Sequence, residues 1–173
     1  MENNILKINI TGHRPGKLYG YDIHRPEYND IRNQIKGSLV MLIKKYAAEK
    51  VVCYSGMALG IDQIFIECCI EAREYYKKHG IELKIIAAIP CRDYDNKWRQ
   101  EARDLYHELL NECDEQLYVY DGPYTKDCLD KRNKFMVEKT DCTIAVWNGS
   151  PSGTANCIKD AERLGNEVVI INP

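Results

Sequence analysis

No apolar run in the 173-residue chain approaches the roughly 20 residues that a membrane-crossing helix requires. Its 8 cysteines include no CxxC pair and no cysteine/histidine cluster at zinc spacing. Neither sign of charge is in excess, with 24 Lys and Arg against 26 Asp and Glu and a net charge of −2. That balance lacks the basic surplus of a general nucleic-acid binder, so nucleic acid is not expected as a partner, although a local basic pocket is compatible with it. Residues 1–4 do not read as a signal peptide, and a soluble, cytoplasmic protein with no membrane partner is expected. Internal repeats, low-complexity tracts and linkers are missing too, so residues 1–173 are expected to form one domain.

Cys53, Cys68, Cys69, Cys91, Cys113, Cys128, Cys142 and Cys157 fall mostly on apolar strand or helix positions. Reduced cysteine there behaves as a small hydrophobe, and core filling is the expected role. His13, His24, His79 and His107 are scattered. No metal and no cofactor is expected.

What is present is an alternation. Strand-length runs rich in Ile, Val and Tyr occupy 5–11, 51–54, 84–89, 116–120, 142–147 and 167–171. Several are apolar at nearly every position, as strands of a parallel sheet covered on both faces should be. Between them run helical stripes: Ile31, Ile35, Leu39, Leu42 and Ile43; Ile61, Ile64, Phe65 and Cys68; Trp98, Ala102, Leu105 and Leu109. Weaker stripes pass through Leu129, Phe135 and Met136 and through Cys157, Ile158 and Ala161. Gly80 and Gly165 stand where helices should end. Six strands alternating with five helices predict an α/β domain of three layers, a mostly parallel six-stranded sheet with helices on both faces.

Ligands of such folds bind beyond the carboxyl ends of the strands, where the strand order reverses. Three loops there carry chemistry. After the first strand, Thr11, Gly12, His13, Arg14 and Lys17 combine close backbone approach with donors suited to phosphate or sugar. After the second, Ser55, Gly56, Met57, Ala58, Gly60 and Asp62 lead straight into a helix, whose free N–H groups attract anions. This is neither a GxGxxG fingerprint nor a Walker A loop. After the fifth, Trp147 and then Ser152, Gly153, Thr154 and Asn156 repeat the pattern. Arg132 and Asn133 would bring a guanidinium fork toward the same rim. Each segment also has a plain reading as a solvated turn, a helix cap or a basic helix face. Tyr94, Trp98 and Trp147 could stack on a base or simply pack.

Thr11-Gly12-His13-Arg14-Pro15, Ser55 to Asp62, Arg132-Asn133 and Ser152-Gly153-Thr154 together resemble the YpsA-like family of the SLOG superfamily, to which DprA and the LOG enzymes also belong. The resemblance implies a Rossmann-like, doubly wound sheet ordered 3-2-1-4-5-6 and a pocket for a nucleotide or nucleotide-derived ligand. It also favours a homodimer or higher homo-oligomer. LOG enzymes release a base from nucleoside monophosphates, but their catalytic glutamate position holds Asn156 here. Asparagine has no charge with which to stabilise an oxocarbenium-like state, nor can it accept a proton at neutral pH. The expectation is therefore binding without turnover, of an ADP-ribose-like or cyclic nucleotide. A LOG-like N-glycosidase using Asp62 or Glu138 and a DprA-like single-strand DNA binder are the alternatives.

Overall fold

The computed structural model describes residues 4–173; the reading of residues 1–4 as no signal peptide falls, apart from Asn4, outside them. Six strands, β1 (Ile5–Gly12), β2 (Lys50–Ser55), β3 (Glu82–Ile89), β4 (Glu115–Tyr118), β5 (Cys142–Val146) and β6 (Glu167–Ile171), pair into one sheet. Every pairing is parallel. The connections are α1 (Asn29–Lys45), α2 (Ile61–Lys78), α3 (Gln100–Glu112), α4 (Cys128–Lys139) and α5 (Gly153–Arg163). This is the expected three-layer, doubly wound Rossmann-like α/β fold. No helix of the described residues is long and apolar enough to cross a membrane.

Strand residues alternate between two cores, as the period-two geometry of strands requires. Val51, Cys53, Ile85, Ala87 and Ile89 enter one core with Ile35 and Leu39 of α1, Ile64 and Phe65 of α2 and Leu109 of α3. Val52, Tyr54, Ile86 and Ala88 face the other way onto Met136 of α4. Val137 of α4 then packs against Cys157 and Ala161 of α5. The first three helices thus cover one face and the last two the other, as right-handed crossovers dictate. Each fully buried Ile or Phe in these cores contributes about 1.5–3 kcal/mol. Gly80 and Gly165 follow α2 and α5 in left-handed conformation, with φ of +75° and +78°.

The strand order is β4-β3-β2-β1-β5-β6, which corrects the implied 3-2-1-4-5-6. β4 lies at the sheet edge rather than beside β1, and its composition explains why. Glu115 and Gln116 are exposed, a pattern for a strand with one free side. β5 is buried at all five positions and takes the central place next to β1, with Ile10 opposite Ile144 and Gly12 opposite Val146. The winding direction therefore reverses between β1 and β5, and the chain leaves both strands into loops on either side of one crevice.

Candidate functional site

At that crevice the loops after β1, β2 and β5 and one side of α4 enclose a cavity of about 390 Å³. Its lining includes Thr11, Gly12, His13, Arg14 and Lys17 from the first loop, Ala58 and Asp62 from the second, Arg132 and Asn133 from α4, and Ser152, Gly153 and Thr154 from the third. Twelve residues singled out in the sequence are thereby brought together. Ser55, Gly56, Met57, Gly60, Trp147 and Asn156 do not line it.

Those six have other work, set by local geometry. The fully buried Ser55 donates from Oγ to the Asp62 carbonyl at 2.9 Å and accepts from the Met57 N–H at 3.2 Å. Met57 is buried at 0% exposure, in the left-handed region with φ +59°. Gly60 turns the chain against the Pro15 ring, which would meet a Cβ there at 3.1 Å. Gly56 has its carbonyl bound by the Arg132 guanidinium, and a Cβ at position 56 would overlap that group. Trp147 donates from Nε1 to the Ser150 carbonyl at 2.7 Å, closing its own loop. Asn156 is exposed on α5, outside the cavity lining.

The cavity is built from two helix starts and a buried cation. Ser152 caps α5, its Oγ accepting from the Ala155 N–H at 3.2 Å, which leaves Gly153 and Thr154 at the cavity with the first amides of the helix. Arg132 is only 2% exposed; besides the Gly56 carbonyl it donates from Nε to Asn133 Oδ1 at 2.8 Å. His13 is 2% exposed, and its Nε2 lies 2.8 Å from Asn148 Oδ1 and 3.1 Å from the Asn148 backbone nitrogen, bracing the first loop to the third. Arg14 and Lys17, by contrast, are exposed at the rim. Three permanent cations and the first amides of α5 therefore meet at one cavity.

Asp62 is the carboxylate in the lining. Burial pushes its carboxyl above the ordinary value, while the charges of Arg132 and Arg14 and the Ala58 N–H, 3.1 Å from Oδ2, pull the other way. An anion entering the cavity adds a like charge and raises Asp62 further, so the complex holds more proton than the free protein. Affinity for any anion of constant charge held there is accordingly expected to rise as pH falls toward the native value of Asp62. Asp62→Asn should flatten that dependence, measured by calorimetry between pH 5 and 8; an unchanged slope would contradict the placement.

Sequence reasoning missed Tyr21, Gly16 and Ile10, which also line the cavity. Tyr21 is 72% exposed, and its position one residue past Gly20, just after the Thr11–Lys17 stretch, was the available signal. Tyr94 and Trp98 pack edge to face, with ring centres 5.0 Å apart. Among the described residues, no three His, Cys, Asp or Glu side chains are grouped to hold a metal.

Fold and cavity together define a Rossmann-like protein with a cation-lined crevice at the reversal of its sheet. The chain belongs to the YpsA family of SLOG proteins: the family model described as the YspA SLOG family matches residues 8–167. It is 28% identical to an uncharacterised SPbeta prophage-derived protein, YoqJ, of Bacillus subtilis, over 81% of this chain and 88% of that one. A UPF0398 protein of Bacillus pumilus is likewise 28% identical, over 90% of this chain and 81% of its own length. Among solved structures, DNA processing protein A from Helicobacter pylori, which binds single-stranded DNA, superposes with a TM-score of 0.61 at 21% identity. The match covers 97% of this chain but 66% of that longer protein, just under two thirds of it.

That likeness corrects one expectation. Net charge and the lack of a broad basic track speak against nucleic acid, yet a protein sharing this fold binds single-stranded DNA. A charge summed over the whole chain does not describe one rim of the sheet, where Arg14, Lys17 and Arg132 line the cavity.

Proposed function

We propose that the protein binds a nucleotide or nucleotide-derived ligand by its phosphate at the reversal of the sheet, sensing or sequestering it in the cytoplasm. The observation that carries this reading is the convergence of Arg14, Lys17 and buried Arg132 with the start of α5 on one cavity. Its volume, about 390 Å³, suits a small ligand. Calorimetry with ADP-ribose, NAD and cyclic nucleotides tests it. At least one should bind, and Arg14→Ala with Lys17→Ala should weaken it roughly tenfold or more, since charge-assisted hydrogen bonds contribute about 1.5–3 kcal/mol each. No binding at millimolar ligand would sink the reading. Both substitutions lie on exposed side chains and spare the core, so a loss reports the site and not the fold.

Turnover has a separate test. Binding without cleavage predicts no free base by chromatography after overnight incubation with nucleoside monophosphates. If base appears and Asp62→Asn abolishes it, the glycosidase reading replaces this one, with Asp62 in the place of the missing glutamate.

A second reading takes the anion to be the backbone of a single DNA strand, and the Helicobacter pylori neighbour favours it. Of the basic cluster Lys126, Lys131, Arg132, Lys134 and Lys139 that would form such a track, Lys131 and Lys134 are paired with Asp127 at 2.8 Å and Asp130 at 2.9 Å. Exposed pairs of this kind are weak, so the cluster stays open to phosphates beside Arg14 and Lys17. A gel shift that appears at low salt and fades steeply as salt is added would support this reading.

A further inference from the structure

Beyond Tyr21 lies a second hollow, of about 590 Å³. Tyr21 lines both spaces, and consecutive residues of the loop after β2 serve them in turn, Ala58 the first and Leu59 the second. Their chemistry differs. The first gathers Arg14, Lys17 and Arg132 around one carboxylate. The second is floored by Leu59, Trp98 and Leu105, with the carboxylates of Asp22 and Glu101, the cations of Lys97 and Arg99, and His24 around them. With two carboxylates against two cations, it lacks the first hollow's excess of positive charge. Apolar contact with donors and acceptors at the edge is what a flat heteroaromatic ring requires.

Trp98 is held in place by edge-to-face packing on Tyr94 and Tyr106, with ring centres at 5.0 and 5.2 Å. Tyr21 is 72% exposed, so its ring has room to close over a ligand. We infer that a nucleotide anchored by its phosphate in the first hollow passes Tyr21 and lays its base in the second, on Leu59, Trp98 and Leu105. This rests on the phosphate-binding reading of the first hollow. It assigns the choice between nucleotides and simple sugar phosphates to residues of the loop after β2 and of α3.

The test compares ribose 5-phosphate with the four ribonucleoside 5′-monophosphates. Trp147→Phe leaves Trp98 as the remaining fluorophore of the two tryptophans. At least one nucleotide should bind roughly tenfold more tightly than ribose 5-phosphate, as one stacked base provides, and should quench Trp98. Ala102→Leu, a substitution a helix accepts, fills the second hollow; it should remove both the advantage and the quenching and leave ribose 5-phosphate within about twofold of its original affinity. Tyr21→Ala should reduce the advantage without touching either floor. Equal affinities with unmoved Trp98 emission would overturn the base subsite while the anion site stands. If ribose 5-phosphate and every nucleotide fail to bind, the phosphate reading falls and this inference with it.

Discussion

Gly12→Ala is expected to cost about 2–3 kcal/mol of folding stability, the range for forcing atoms into a filled core. The cause is the close approach of the end of β1 to the start of α2. A Cβ at position 12 would stand 2.6 Å from Cβ, Cγ1 and Cγ2 of Ile61. Because one of those atoms is the Cβ of Ile61, no rotamer change relieves the overlap, and the helix itself must shift. Ile61 is 1% exposed and has no free space into which to retreat. The shift carries Asp62 and Ala58 with it, so ligand affinity should fall together with the urea midpoint. Adding Ile61→Ala should restore only part of the loss, since its Cβ remains. A Gly12→Ala protein with an unchanged midpoint would show that the strand and helix are not in contact as described.

Arg132→Ala should be the most damaging change at the site, removing on the order of 3 kcal/mol of stability as well as anion binding. Its guanidinium satisfies the Gly56 carbonyl and offsets the buried charge of Asp62. Without it, burial dominates Asp62 and its carboxyl rises further. A carboxyl held above its unfolded value destabilises the native state at higher pH and is relieved by protonation as pH falls. The deficit of Arg132→Ala should therefore be larger at pH 7.5 than at pH 5, and Asp62→Asn added to it should recover part of the stability. Arg132→Lys should not rescue binding, because an ammonium cannot present the planar fork that reaches Gly56 and Asn133 together. Thermal melts of the four proteins at the two pH values settle the sign.

Much of this architecture was legible because its strands are buried on both sides. Runs such as Ile85 to Ile89 and Cys142 to Val146 leave no polar face, which points to a covered parallel sheet. The place of β4 was legible in principle from exposed Glu115 and Gln116, but the expected order followed the resemblance instead. At the site, the loops could be chosen from their residues because glycine, hydroxyls and cations gathered after three different strands. Which residue of a loop faces the cavity is a matter of turn geometry, and there composition is silent. Met57 and Ala58 are adjacent, yet one is sealed in the core and the other lines the cavity. Asn156 illustrates the same limit: alignment with a catalytic motif placed it in the site, while the helical phase of α5 turns it outward. Tyr21 sits outside the quoted motifs, and only its place just after the Thr11–Lys17 stretch pointed to the rim.

The thiols are held inside the layers, with Cys113 alone half-buried among them. Burial pushes Cys68, Cys142 and Cys157 each up to about 11, far from the thiolate form at neutral pH. An alkylating reagent meets them as reactive groups only after the sheet and its helices separate. The polypeptide thus contains its own clock for breathing motions, distributed over strands and helices alike, with no foreign label attached.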